Sequence, residues 1–593
     1  LTGDGRRATG DGRRATGDGR RATGDGRRAT GRSVLFAARS ATALHRLLDV
    51  LPVFADDPRV HRLFTLVPGS DFQADAFSAI DLAGARTVPW DEACRRSFDL
   101  VIAASPKGRL DLLRGARVLL PHGAGHSKVV PGEGSGGPFP SAFDPVNLLA
   151  DGPDPVFALH ALAHPDDVGR LAAASPRDAE RATVVGDPTL ERLLASRDRR
   201  ERFRAALGTG GRTLIAVTST WGGESLFARR PRLPAELTAR LPYDRFQVAF
   251  VLHPNEFSRL GAHDLAETYD RARRAGLVMT RPYEEWASVL VAADAVVTDH
   301  GSTALYAAAL GRPVVAAYDG GRELTPGTPM ARLLAAAPRL GGPDDALGPD
   351  AVTAAVAAHR PEAVRAAARA AFAEQGRALE RLRAEVYALL GLPPQREQPT
   401  ARLLPDPARP VEPAVFTVRA RVEGATVRLE RLPAPPAGEP DRDDAFPHRH
   451  LAAEYGAAGT REIQTAGVVH RRAAAGPGEA GAVAWTADGW TSAVLRELPG
   501  RRTAAVLFPG EGLCLVRTGG PDGPLLAVRA EPAYADGRVH RADPAAVVSA
   551  VHAWRTTDAR GAADRADLVC AIGDRSYTVH VSPAARDAAA RPV

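Results

Sequence analysis

Lysine is almost missing from this chain. Of 76 Lys and Arg residues, only Lys107 and Lys128 are lysines. Asparagine is as scarce, occurring at Asn147 and Asn255. Such a composition reads as a coding bias that writes arginine wherever either cation serves, so a surviving lysine marks a position where a compact ammonium has its own use. Three cysteines, Cys94, Cys514 and Cys570, lie too far apart for a CxxC-type site and point to a reducing compartment. No run of about 18 apolar residues occurs, so no transmembrane helix is expected. The Arg/Gly-rich N-terminus does not read as a secretory signal. Neither lysine follows a glycine, which excludes a P-loop, and no GxSxG elbow occurs, which argues against a serine hydrolase.

What is there amounts to 593 residues, 45% hydrophobic and 25% charged, the composition of a globular protein of three or four domains. The first 32 residues stand apart. They repeat TGDGRRA with a period of seven and no unit offers a large apolar residue for a heptad seam, so residues 1–32 are expected to be disordered. They read as a translated repeat ahead of the true start, dispensable if the chain begins at Ser33 or Val34. The segment holds nine arginines and four aspartates, most of the formal net charge of +6, so the folded part shows no basic excess for nucleic acid.

From Ser33 the pattern changes to short apolar runs, each followed by a polar or Gly-rich turn: 33–40, 62–68, 86–90, 98–105 and 116–128. This is the pattern of buried parallel strands alternating with helices. A second series runs through 183–188, 213–220, 246–254, 275–280, 294–302 and 312–319, with a connecting strand and helix over 156–174 between the two. The fold class expected is α/β: two Rossmann-like domains, at 33–175 and 176–345, with a smaller β-rich domain at 414–593. A helical segment at 346–395, including one long helix over 361–390 with a stripe at Leu379, Leu382, Val386 and Leu389, is expected to return to the first domain. A Pro-rich linker fills 396–413.

In parallel sheets ligands bind at the carboxyl ends of strands, so the strand-end loops are the place to look for chemistry. The loop after Val118–Leu120 reads Pro121-His122-Gly123-Ala124-Gly125-His126-Ser127-Lys128. Its glycines, Gly123 and Gly125, allow close backbone approach to a ligand, its histidines offer a base near neutrality, and it holds Lys128. Lys107 follows the strand before it. In the second series three strand ends are polar: Ser219-Thr220-Trp221, His253-Pro254-Asn255, and Asp299-His300-Gly301-Ser302-Thr303. Ser302 and Thr303 sit where a helix start would accept a phosphate.

These motifs resemble the GT-B glycosyltransferases, and more narrowly the CDP-glycerol glycerophosphotransferase family of teichoic acid polymerases. His122-Gly123 with Lys128, His253-Pro254, and Asp299 with Gly301, Ser302 and Thr303 carry the resemblance over about 33–390. HGAGHSK replaces that family's HGTP with following lysines, His300 stands where an aromatic is usual, and one Ser302 replaces a serine pair. The resemblance implies transfer of a glycerophosphate or glycosyl group from a nucleotide-diphosphate donor (CDP-glycerol or an NDP-sugar) to a hydroxyl acceptor, in cell-envelope polymer synthesis. His122 would be general base and His253 catalytic beside the donor. Gly123, Gly125, Lys128, Ser219, Thr220, Asn255, Asp299, Gly301, Ser302 and Thr303 would hold the donor. Trp221 or Tyr283 could stack on its base. No cofactor, metal or nucleic acid is implied. The expected location is cytoplasmic, with a peripheral contact at the inner membrane face left open. The alternative is a non-catalytic protein of this fold that binds a nucleotide or a partner.

The last domain shows no catalytic constellation. Runs at 416–424, 425–432, 482–490, 503–509, 512–518, 525–530 and 576–581 read as strands, and 545–557 as a helix. Trp485 and Trp490 read as core. The acidic stretch with Asp441, Asp443, Asp444, His448 and His450 reads as a solvated linker.

Overall fold

The computed structural model describes residues 31–69, 80, 84–121, 123–130, 132–137, 139–149, 154–342, 348–433, 445–473, 484–498, 500, 503–557 and 563–593. The repeat at 1–30, His122, and Asp441, Asp443 and Asp444 lie outside them.

The first apolar series forms a six-stranded sheet. Its spatial order is Val60–Leu66, Arg32–Ala38, Ser97–Ala103, Arg114–Leu119, Leu159–Leu162, Ala182–Val184, and every pair is parallel. Parallel neighbours need crossovers, and the first is helix Ala41–Asp49. Ser40 caps it by accepting from the Ala43 amide at 3.2 Å, and Leu44, Leu47 and Leu48 recur at helical spacing on the buried side. The first strand starts slightly earlier than expected: Arg32 belongs to it and pairs with Asp99 at 2.9 Å.

Two expectations for this sheet are corrected. The run 86–90 forms no strand; Thr87 makes a single bridge to Phe64, and helix Trp90–Arg95 follows Pro89. Strand Ala182–Val184 pairs with Leu159–Leu162 and so closes the first sheet instead of opening the second. The turn through Gly186 thus follows the last strand of the first sheet, and after it Leu190 and Leu193 of helix Pro188–Ala195 enter the second core. A three-residue edge strand has too little apolar pattern to say which sheet it joins.

The second series forms a five-stranded sheet, ordered Val314–Ala316, Ala295–Thr298, Thr213–Ser219, Phe246–Leu252, Val278–Met279. All its pairs are parallel. The expected long helix over 361–390 is two helices, Pro361–Arg369 and Ala378–Leu390. They are separated where Glu374 and Gly376 take positive φ values of 49° and 78°. Val364 and Ala367 of the first join the second-sheet core, whereas Leu379, Leu382, Val386 and Leu390 of the other join the first. Leu390, not Leu389, completes the stripe: Leu389 is 37% exposed and Leu390 only 2%. The Pro-rich 396–413 first touches the first unit, where Ala401 joins its core, and from Arg402 straps the second. Leu404 is buried, and the carbonyls of Arg402, Leu404 and Pro405 accept from Arg192, Arg199 and Ser288.

The C-terminal part is a closed barrel of nine strands around helix Pro544–Thr557. Residues 545–554 of that helix are all buried, and it packs on strands all round the barrel. The expected hairpin is present as Val415–Glu423 paired antiparallel with Thr426–Pro433. The run 482–490 is corrected: Thr486 caps helix Ala487–Glu497, its Oγ1 accepting from the Gly489 amide at 3.0 Å. Trp490 is core, but Trp485 is half exposed. Strands His448–Glu454, Val468–Arg472 and Ala566–Ile572 complete the barrel. One ion cluster ties it to the second unit. Arg431, 1% exposed, reaches Asp244 at 2.6 Å and Asp543 at 2.8 Å and lies 4.5 Å over the Phe416 ring.

Candidate functional site

Strand order decides where a parallel sheet opens a crevice. In the first sheet, strand Arg32–Ala38 lies between Val60–Leu66 and Ser97–Ala103, so the crossovers leave it in opposite directions. In the second, Thr213–Ser219 lies between Phe246–Leu252 and Ala295–Thr298 in the same way. These are topological switch points, where consecutive loops diverge and leave a gap. Arg39 and Lys107 stand at the first, and Ser219 and Gly301 at the second. All four line one cavity of about 470 Å³ between the two units, a size suited to a nucleotide-scale ligand.

The second-unit wall is built around Asp299. Its side chain, 0% exposed, accepts from the amides of Thr220 at 3.0 Å, Leu226 at 2.7 Å and Gly301 at 2.9 Å, and from Ser219 Oγ at 3.3 Å. Asp299 therefore does not line the cavity. It ties the loop after Thr213–Ser219 to the loop after Ala295–Thr298, which places Ser219, Thr220, Gly301, Ser302 and Thr303 on the wall. Ser302 precedes helix Thr303–Ala309 but its hydroxyl caps no amide of it. His253 and Asn255 line the cavity at the next strand end. His253 Nδ1 accepts from the Asn255 amide at 3.1 Å, so a neutral ring carries its proton on Nε2.

The first-unit wall is the loop 123–130. Gly123 lines the cavity, and a Cβ there would sit 3.2 Å from Ser302 Oγ. Gly125 lies behind the wall, against Leu305 of the second unit. It holds a φ of 78°, and a Cβ would come within 2.8 Å of Leu305 Cδ1. Gly125→Ala is expected to cost about 1–3 kcal/mol from the left-handed backbone alone, read as a lower urea midpoint at unchanged m-value. His126 is not a base in waiting. Its ring packs 4.3 Å from that of Phe143, and burial pulls its pKa down to about 3.

Lys128 joins the two units. Its neighbours pair with the loop after the last strand of the second sheet: the Val129 amide donates to Glu323 O, and Thr325 to Ser127 O, each at 2.9 Å. Its ammonium meets Glu323 at 2.9 Å, donates to the Trp221 carbonyl and lies 4.4 Å over the Trp221 ring. Burial lowers the Lys128 pKa, partly offset by Glu323. Burial raises Glu323, but His300 at 3.2 Å and Lys128 outweigh it and hold the carboxyl below its usual range. The other lysine, Lys107, pairs with Glu133 on the first-unit side. Both lysines of the chain thus line the same cavity.

Of the residues the sequence singled out, the structure brings Gly123, Lys128, Ser219, Thr220, His253, Asn255, Gly301, Ser302 and Thr303 onto one surface. Gly125 and Asp299 support that surface from behind. Trp221 and Tyr283 line it as well, with Tyr283 stacked on His45 at 4.9 Å. Sequence reasoning missed Glu323, His45, and the buried pair Arg192–Asp49 at 2.9 Å. Glu323 had a weak signal, a charge in a Gly-rich loop after a strand; the others sit on amphipathic helices with none. Among the described residues, no group of three or more His, Cys, Asp or Glu could hold a metal ion, and no helix is long and apolar enough to cross a membrane.

No family model matches the chain, and no curated protein does either. Solved structures similar to it include the wall teichoic acid polymerase TagF, at 13% identity and TM-score 0.41, covering 60% of this chain and 89% of that one. Anabaena HepE in complex with UDP-glucose is similar at 15% identity and TM-score 0.37, covering 60% and 99%. S. aureus MnaA with UDP is similar at 10% identity and TM-score 0.37, covering 63% and 100%.

Proposed function

We propose that the chain is a transferase built on two Rossmann-like units, and that the cavity between them binds a nucleotide-diphosphate donor. The glycerophosphate or glycosyl group of that donor passes to a hydroxyl acceptor. The observation that carries the reading is the meeting of two switch points in one cavity, walled by strand-end hydroxyls, His253, a helix start and both lysines. On this reading the unit ending near Gly186 takes the acceptor, and the next unit takes the donor. His122 is the general base on the acceptor hydroxyl. His253, through Nε2–H, and the amides at Gly301–Thr303 hold the diphosphate and stabilise the nucleotide as it leaves. Lys128, already paired with Glu323, serves those phosphates by exchanging one anion for the other.

The test is release of nucleoside diphosphate from CDP-glycerol and UDP-glucose, offered with glycerol and simple glycosides as acceptors. Wild type is expected to discharge one donor, and His122→Ala and His253→Ala to slow it about 100-fold or more. A wild type that binds nucleotide yet discharges no donor would instead be the non-catalytic binding protein.

A further inference from the structure

Helix Ala41–Asp49 buries Leu44, Leu47 and Leu48 on its core side. Thr42, His45, Arg46 and Asp49 line the cavity. Two of these four are already matched. Asp49 accepts from Arg192 at 2.9 Å and from Thr189 at 2.7 Å, and the Arg46 guanidinium lies 5.3 Å over the Tyr306 ring. The other two are not. Among the described residues, nothing hydrogen-bonds to Thr42 Oγ1 or to either ring nitrogen of His45, and all three atoms are buried. Buried polar atoms are almost always paired, and an unpaired one disfavours the fold unless something completes it. The two residues that carry these three atoms, at i and i+3 on one helix, both line one cavity.

The His45 ring is held in place. It stacks on Tyr283 at 4.9 Å with the planes 13° apart. Tyr283 itself holds a φ of 92°, an outlier for an aromatic residue. Burial draws the His45 pKa down to about 4, against the pull of Glu284 and Asp49 and with that of Arg192 and Arg402. A neutral imidazole offers one N–H and one lone pair, and a threonine hydroxyl offers both roles. That set matches hydroxyl groups, which donate and accept alternately. It does not match a phosphate, which only accepts and brings charge.

We propose that Thr42 and His45 form a subsite for a neutral, hydroxyl-bearing group, a sugar or polyol, inside the cavity. The proposal rests on the transferase reading, which puts such a group both on the donor and on the acceptor. His45→Phe keeps the ring stacked on Tyr283 and removes both nitrogens, and Thr42→Val keeps the shape and removes the hydroxyl. Because each variant deletes an unmatched polar atom, the melting temperature of the full-length protein should stay level or rise.

Calorimetric titration decides the rest. Both variants should bind UDP and CDP as wild type does. If the subsite holds the transferred group, His45→Phe weakens UDP-glucose or CDP-glycerol about tenfold, the worth of a buried hydrogen bond. If it holds the acceptor, the variants lose methyl glucoside or glycerol binding measured with saturating UDP. Either result supports the subsite. Unchanged binding of every ester and polyol overturns it, and so does a lowered melting temperature with all ligands weakened together. If wild type binds no nucleoside diphosphate, the transferase reading falls separately. Glycerol and methyl glucoside titrated alone then decide the subsite, and equal or absent binding in wild type and variants overturns it.

Discussion

Asp299→Ala should abolish nucleotide binding and lower the unfolding free energy by at least about 3 kcal/mol. The side chain is fully buried, and it senses the Lys128 ammonium without pairing with it. Its negative charge is met by three backbone amides and one hydroxyl. Alanine leaves those amides without an acceptor, each at a penalty of about 1–3 kcal/mol. The recovered desolvation of the carboxylate offsets part of this. The amides belong to Thr220, Leu226 and Gly301, so the same loss releases both loops of the second-unit wall. Asp299→Asn keeps the shape but turns one acceptor into a donor, so it should fall between wild type and alanine. Urea unfolding and UDP titration of the three proteins check the order. An alanine variant within about 1 kcal/mol of wild type would show that the loops hold themselves.

The second large effect is expected at Arg431. Arg431→Leu should cost about 3–5 kcal/mol, because it leaves two carboxylates facing each other without their shared cation. The loss is also a separation. Arg431 belongs to barrel strand Thr426–Pro433 and Asp244 to the loop before strand Phe246–Leu252, with only Asp543 on the barrel's own side. Calorimetric unfolding should therefore resolve an early transition for the barrel. The pH dependence should invert as well. In the wild type, burial raises the Asp543 pKa, but Arg431 and Arg472 overcome it and hold the carboxyl at about 2. Its stabilising share is thus complete above the unfolded value near 4 and is lost as pH falls toward 2. Without Arg431, burial dominates and the folded pKa exceeds the unfolded one. The variant should gain stability as pH falls through that range and lose it as pH rises. A single transition with the wild-type pH profile would contradict this.

The second sheet was legible because its strands are unbroken apolar runs ended by polar residues. Those ends, at Ser219, His253 and Asp299, are where function concentrates in any parallel sheet. Asp299 shows the limit of such reading. A strand-end aspartate before glycine has the same sequence whether it faces a ligand or turns inward to gather amides. Only the closeness of Thr220 and Leu226, more than 70 residues away along the chain, decides it. Glu323 carried only a weak signal for the same reason, since its role exists only once Lys128 arrives from the other unit. Strand Ala182–Val184 was seen but misassigned, because three residues carry no register. In the barrel, His448–Glu454 hides a strand behind two histidines and an arginine. Ala452 packs into the core around the central helix and Ala453 into the core under helix Ala487–Glu497, so both faces are buried and its alternation is weak. The lysine scarcity, by contrast, was the most economical signal in the chain, since both survivors meet at one cavity.

The central claim is that this cavity is a nucleotide-diphosphate site. Its most direct test is a crystal structure of the full chain soaked with CDP or UDP. The expected result is diphosphate density between His253 and the Gly301–Thr303 helix start, with Lys128 moved from Glu323 toward it. Nucleotide bound on the barrel or elsewhere, with the Lys128–Glu323 pair and the cavity unchanged at saturating ligand, would contradict the account.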